Sequence, residues 1–235
     1  MKIAVCFFGE MSFMDRFMIQ NLMRCLIVPF QKYNHKGHNV EFYYFLHTYF
    51  NPSVLTWIGM MRASFPFTSM TIHDRESVLR EKKDAHECGL FLQGHSLNRV
   101  KKKWKMVDDL DLVMMVRLDL LLTKSLSEGD IDLVLHHKHH LFLHEKKPFV
   151  AMGDPMVMNL FADKFLHFCG ADHLFDILRT QHNVKIQSLS LVFVRILPDA
   201  IVCPEDYHVC PYLGDLIASS QTQIRLVKRK NSNIR

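Results

Sequence analysis

The sequence predicts an α/β protein with a mostly parallel central sheet flanked by helices. Three observations carry this. Ile3 to Phe8 is an uninterrupted apolar run of strand length, the pattern of a strand covered on both faces. Arg16 to Tyr33 then spaces its apolar residues helically, and an aromatic-rich run, Val40 to Leu46, follows. Strand, helix, strand is the start of a βαβ unit. A second fully apolar run, Leu112 to Val116, ends abruptly in Arg117-Leu118-Asp119.

The elements follow in order. Gly9-Glu10 comes directly after the first strand. The first helix carries Phe17, Leu22, Leu26 and Phe30 at helical spacing, and Pro29 is expected to end or bend it. Lys36-Gly37-His38-Asn39 reads as a turn. Asn51 to Phe67 reads as a loop with a short helix, and Met70 to His73 as a short strand. Glu76 to Cys88 and Gln93 to Val107 read as helices. Beyond Asp119, Ile131 to Leu135 and Leu141 to Leu143 read as strands, and Phe149 to Met152 is short and apolar. Gly153-Asp154-Pro155 is a turn. Asn159 to Phe168 and Ala171 to Gln181 read as helices, and Val184 to Ile196 as extended chain. No linker or internal repeat interrupts residues 1–227, which are expected to form one domain, with 228–235 a flexible basic tail.

Composition bounds the function. A chain of 235 residues suits one large domain, and 49% hydrophobic against 23% charged residues excludes disorder. A net charge of +5 favours anionic ligands but is too sparse for a dedicated nucleic-acid binder, so no nucleic-acid partner is expected. Six cysteines without a CxxC pair read as buried free thiols in a reducing compartment, and a Cys203–Cys210 disulfide is not expected. The opening MKIAVCFFGEM is too short for a signal-peptide core, and no run reaches the roughly 18 apolar residues of a membrane span. The expected location is cytoplasmic, with at most weak membrane association through the tail.

In open α/β sheets ligands bind beyond the carboxyl ends of the strands. That rule selects Phe8-Gly9-Glu10 and Arg117-Leu118-Asp119. A glycine there permits a tight turn and close approach of backbone to ligand. No GxGxxG or GxxxxGK[ST] is present, which removes the dinucleotide and P-loop readings. Opposite charges ending a buried strand need solvent, a partner or a ligand. Arg117 can grip a diphosphate bidentately, and Asp119 can hold a hard cation such as manganese or magnesium. The alternative is that the two pair with each other or with a helix end.

Other clusters read more plainly. His136, His137, His139, His140 and His144 match no zinc spacing and read as a solvated rim. Lys101-Lys102-Lys103 reads as a solvated helix face. Asp109-Leu110-Asp111 is a DxD string, but it precedes its strand and so lies at the sheet's other end.

Several stretches, in order, resemble small GT-A-type glycosyltransferases of polysaccharide-synthesis loci and large DNA viruses. They are MKIAVCFFGEM, Gln20-Asn21, Val40-Glu41-Phe42 with His47-Thr48, Gln93-Gly94-His95-Ser96-Leu97, LDLVMMVRLDL, FVAMGDPMVMN, and Asn183 to Ile196. The resemblance implies a GT-A-like, Rossmann-like domain that moves a sugar from a nucleoside diphosphate sugar to a glycan or other hydroxyl acceptor. It implies donor contacts from Phe8, Gly9, Glu10, Arg16, Gln93, Arg117 and Asp119, with catalytic roles for Asp119 and Asp154. Asp154 is the candidate base for the acceptor hydroxyl, and helix capping is its other reading. A weaker candidate is Glu205-Asp206. Where the family carries DxD, this chain has Arg117, so a metal at Asp119 is in question. A nucleotide- or glycan-binding module without catalysis is the alternative function.

Overall fold

The computed structural model describes residues 1–11, 16–33, 37, 39–80, 88–144, 147–165, 171–191, 193–197, 200–203 and 225–228. Strand β1 (Lys2–Phe8) lies at the centre, with Ile3 to Phe8 wholly buried. It pairs in parallel with β2 (Glu41–Tyr49) on one side and β4 (Leu112–Arg117) on the other. Beyond β2 lies β3 (Phe67–His73); beyond β4 lie β7 (Lys147–Gly153), β6 (His140–His144) and β8 (Lys185–Ser188). In this seven-stranded sheet β7 runs against its neighbours and the rest point one way. A four-stranded sheet, β11 (Arg225–Lys228), β10 (Ala200–Cys203), β9 (Phe193–Leu197) and β5 (Leu120–Leu122), continues from the turn after β4.

The helices are α1 (Arg16–Leu22), α2 (Val28–Tyr33), α3 (Val54–Ser64), α4 (Arg75–Arg80), α5 (Cys88–Trp104), α6 (Glu128–His136), α7 (Pro155–Phe165) and α8 (Ala171–His182). Alternation along β1 divides the core. Ile3, Val5 and Phe7 meet α1, α2, α3 and α6, while Ala4, Cys6 and Phe8 meet α5, α7 and α8. The chain steps outward from β1 to β2 to β3, then returns across the sheet to β4. Right-handed crossovers therefore put α5 on the opposite face from α1 and α3. The strand order reverses between β1 and β4, and that is the topological switch point.

Pro29 neither ends nor sharply breaks its helix. A π-helical turn, Met23–Ile27, joins α1 to α2, and the Val28 amide reaches back to the Met23 carbonyl. Proline lacks the N–H that would bond the Cys25 carbonyl in a regular helix. The Leu126 amide bonds that carbonyl instead, at 3.0 Å. One turn earlier, buried Asn21 clamps β5: its Nδ2 donates to the Leu122 carbonyl (2.7 Å) and its Oδ1 accepts from the Leu122 amide (2.8 Å).

Five expectations need correction. Ile131 to Leu135 is helical, because Ser127 and Asp130 form a reciprocal capping box that starts α6, and Ile131 and Val134 bury one helical face. Asp130 also accepts the Ser190 amide (3.0 Å) and hydroxyl, which pins the chain between β8 and β9. Val184 to Ile196 is therefore two strands in two sheets rather than one extended segment. Strand β2 runs three residues past Leu46 to Tyr49. Lys101 is buried and paired with Asp163 of α7, while Lys102 stays exposed. No helix among the described residues is long and apolar enough to cross a membrane. Cys6 and Cys25 are free and buried. Of the expected 228–235 tail, Lys228 ends β11 beside Cys203 and is not tail; residues 229–235, Glu205-Asp206 and Cys210 lie outside the described residues.

Candidate functional site

Register brings His47, Phe8 and Arg117 into one row across β2, β1 and β4 at the carboxyl ends of these strands. Phe8 and His47 face α5. Phe8 is buried between the two polar neighbours. Immediately after it, Gly9 takes φ +104°, a conformation side-chain-bearing residues rarely adopt. A Cβ there would meet nothing within 4 Å, so backbone conformation alone calls for glycine. Its amide donates to the Ser96 hydroxyl of α5 at 2.8 Å.

Ser96 opens a polar network that the row alone does not reveal. Its Oγ lies 2.7 Å from His47 Nδ1 and 3.1 Å from the His47 carbonyl. His47 Nε2 is 2.7 Å from Nδ1 of His73, the last residue of β3. Tyr49 donates its hydroxyl to the Leu92 carbonyl (2.6 Å) and lies 2.9 Å from His95 Nδ1. Arg99 Nε donates to His95 Nε2 at 3.2 Å. At the rim, Glu10 pairs with Arg75 of α4 at 2.6 Å. Burial, then the neighbouring His73, His95 and Arg99, press the His47 pKa down to about 3. Burial and Arg99 lower that of the half-buried His73 as well. Burial raises that of Tyr49, with Glu10 adding to it. His47 and His73 are neutral rings hydrogen-bonded to each other.

On the other side of β1, Arg117 and Asp119 pair with each other. Arg117 Nε donates to Asp119 Oδ1 at 2.9 Å, Nη2 bonds Oδ2, and the guanidinium carbon sits 4.5 Å from the centre of the Phe149 ring. The pair is buried, Arg117 at 5% and Asp119 at 8% exposure. Two N–H···O bonds plus an aromatic lid satisfy much of what a buried ion pair requires.

Of the residues predicted from sequence, Phe8, Gly9, Glu10, Arg117 and Asp119 gather at this end of the sheet. Arg16, exposed, opens α1 here, and half-buried Gln93 follows Leu92 on α5. Asp154 does not join them. Because β7 is antiparallel to β4, Gly153 lies beside Val113, at the amino end of β4. Leu112 and Arg117 are the two ends of β4, five residue steps apart, roughly 16 Å at strand rise. There Asp154 Oδ1 accepts the Met156 and Val157 amides at the start of α7, and Oδ2 accepts the His139 amide. It is a helix cap. Asp111 sits at the same far end, its carboxylate accepting the Lys2 amide at 2.8 Å. His136, His137 and His139 are exposed at a rim, as expected, but His140 is buried and stacks on His137. Among the described residues, no group of three or more His, Cys, Asp or Glu could hold a metal ion.

Sequence reading missed Tyr49, His73, Arg75 and Arg99, and it met His47, His95 and Ser96 only within resembling strings. The strand-end rule that selected Phe8 and Arg117 selects His47, Tyr49 and His73 equally once β2 is extended to Tyr49.

No family model matches the chain, and no curated protein sequence matches it. Among solved structures, the glycosyltransferase GlyE of Streptococcus pneumoniae TIGR4 is similar, with 12% identity and a TM-score of 0.40 over 80% of this chain and 45% of that one. Mouse xyloside xylosyltransferase 1, in its apo form, is 11% identical with a TM-score of 0.40, over 99% of each chain. This chain spans less than half the length of the GlyE chain it matches.

Proposed function

We propose that this chain is a glycosyltransferase that moves a sugar from a nucleoside diphosphate sugar to a hydroxyl acceptor, using the crevice at the switch point between β1 and β4. One observation carries the reading: Phe8 and Arg117 are register partners at the carboxyl ends of these strands, with the Gly9 turn on one side and a buried charge pair on the other. This is where open α/β sheets bind ligands, and the GT-A resemblance of the sequence follows the same elements.

In this reading the backbone at Phe8, Gly9 and Glu10 borders the nucleotide. Arg16 and Gln93 flank it from α1 and α5. Arg117 neutralises diphosphate charge, and an incoming diphosphate competes with Asp119 for the guanidinium fork. Asp154, capping α7 at the far end, has no part in it. Both Asp119 oxygens accept hydrogen bonds from Arg117, so the residues as arranged do not fit a divalent cation, and no step here runs through one. The chemistry left to the chain is to bind the donor, hold its diphosphate and take a proton from the acceptor.

The test is calorimetric titration with a panel of nucleoside diphosphates and their sugars, with and without manganese, followed by assay for sugar transfer and donor hydrolysis. Donor binding with turnover is the expected result; no binding by any member of the panel removes the reading. A second reading, a nucleotide- or glycan-binding module without catalysis, is favoured by the mutual engagement of Arg117 and Asp119. Binding without turnover under every metal condition would establish it.

A further inference from the structure

Three contacts on one hydroxyl fix the protons of the histidine cluster. Ser96 Oγ has one hydrogen and two lone pairs. The Gly9 amide can only donate to it, and the His47 carbonyl can only accept from it. The hydroxyl hydrogen therefore goes to the carbonyl, and His47 Nδ1 must carry a hydrogen and donate it to Oγ. His47 is then neutral with its lone pair on Nε2, so His73 donates Nδ1–H across the 2.7 Å contact. That leaves the second nitrogen of neutral His73, Nε2, with a lone pair, and among the described residues nothing hydrogen-bonds to it. His95 is fixed in the same way: Tyr49 spends its hydrogen on the Leu92 carbonyl, so His95 Nδ1–H donates to Tyr49, and Nε2 accepts from Arg99.

His73 ends β3, two strands from β1, about 10 Å across the sheet at roughly 4.8 Å per strand. The groups around it are His47 from β2, His95 and Arg99 from α5, Asp74 and Arg75 at the start of α4, and Glu10 after β1. The carboxylates among these are engaged: Glu10 with Arg75, and Asp74 with the Ser77 amide. Phe50, 53% exposed, follows β2 and donates its amide to the His73 carbonyl at 2.8 Å.

We propose that His73 is the general base of the transfer, with His47 and Ser96 as positioning residues that hold its Nε2 lone pair toward the acceptor hydroxyl. This rests on the glycosyltransferase reading above. In the step, the acceptor O–H proton moves to His73 Nε2 as the acceptor oxygen bonds the anomeric carbon. The bond from that carbon to the diphosphate oxygen breaks, and its electron pair leaves with the nucleoside diphosphate. The proton then passes from Nε2 to solvent. A base ring oriented through its other nitrogen follows the logic of catalytic triads. Burial and Arg99 keep His73 neutral at physiological pH, as the role requires.

The experiment pairs kinetics with tautomer assignment on the full chain. Long-range 1H–15N correlation at about pH 7.5 is expected to show His73 and His47 neutral and protonated on Nδ1; a His73 protonated on Nε2 overturns the proposal whatever the activity. His73→Gln, with folding checked by thermal melt, should bind the UDP- or GDP-sugar found by titration within about threefold of wild type. Its kcat should fall by about 10²–10⁴-fold, with loss of the acidic limb of the pH profile, and imidazole should partly rescue His73→Gly. Donor binding with turnover and acidic limb unchanged in His73→Gln overturns the base role alone. No donor binding by the wild-type chain removes the glycosyltransferase reading, and the base role with it.

Discussion

Arg117 and Asp119 face each other at the end of β4 through two hydrogen bonds, with the guanidinium carbon 4.5 Å from the centre of the Phe149 ring. Leu118, between them, is 1% exposed and donates its amide to the Phe8 carbonyl at 3.2 Å. The pair is thus anchored to the strand that precedes the Gly9 turn, and whatever engages Arg117 also acts on β1.

Removing one partner strands a buried charge, which costs about 3–5 kcal/mol, whereas replacing both by apolar residues of similar volume is near neutral. Asp119→Asn should therefore be destabilised by about 3 kcal/mol in urea unfolding. Arg117→Met/Asp119→Leu should recover most of that loss. If Asp119→Asn is as stable as wild type, the pair does not hold the strand end.

Asn21 and Leu122 make the second test. The Asn21 amide serves β5 as a neighbouring strand would, meeting both the N–H and the C=O of Leu122. Asn21→Leu leaves the buried Leu122 amide without its partner, at about 1–3 kcal/mol, and leaves the carbonyl only the long Cys25 Sγ contact at 3.9 Å, at about 1 kcal/mol more. The expected total is a loss of roughly 2–4 kcal/mol, with faster hydrogen exchange at the Leu122 amide. Unchanged exchange there would mean that β5 is held by β9 alone.

Where the sequence was informative, the reason is local. An apolar run such as Ile3 to Phe8 has few uses other than a strand covered on both faces, and its following glycine marks where the chain turns. Residues 127–136 mislead because Ile131 to Leu135 is apolar and short, a pattern helices and strands share. The Ser127-Glu128-Gly129-Asp130 cap just before it was the readable signal for a helix. The Arg117–Asp119 pairing could be framed only as one of two alternatives, since a strand end does not reveal which way two side chains turn. The histidine cluster was harder still. Its members come from β2, β3 and α5, and they meet only through contacts in space, such as the 2.7 Å contacts among His47, His73 and Ser96. Asp154 illustrates the converse. Its turn is legible, but which end of the sheet it reaches depends on β7 being antiparallel, which nothing in its neighbourhood encodes.

Stability should fall in mild acid because of His47. The ring is 1% exposed and its pKa is held near 3, against an ordinary value of 6.5. Below about pH 6.5 the unfolded chain binds a proton at this residue that the folded chain does not. The stabilisation is complete above that pH and is lost between 6.5 and about 3, by up to about 1.4 kcal/mol per pH unit. His73 and His140, also lowered, act in the same direction. Urea midpoints should drop from about pH 7.5 to pH 5, and His47→Gln, less stable at the upper pH, should show a flatter dependence. A His47 ring that titrates near 6.5 by NMR would refute this.

Gly153 and Gly59 should respond oppositely to the same substitution. Gly153 ends β7 under the start of β6. A Cβ built there would lie 2.9 Å from the His140 carbonyl oxygen, 3.3 Å from Met158 Sδ and 3.4 Å from Val157 Cγ1. The carbonyl belongs to the strand backbone, so it cannot swing aside as a flexible side chain could. Gly153→Ala must separate β6 from β7 or tilt α7, which is overpacking of the kind that costs about 1–3 kcal/mol. Displacement there also strains the Asp154 cap, which receives the His139, Met156 and Val157 amides. Gly59, by contrast, lies on the exposed face of α3 with nothing within 4 Å of its would-be Cβ. Gly59→Ala restricts the unfolded chain and suits a helix interior, so it should stabilise by about 0.5–1 kcal/mol. Measured side by side in urea, the two variants should fall on opposite sides of wild type. A neutral Gly153→Ala would mean that β6 and β7 approach less closely than 2.9 Å implies.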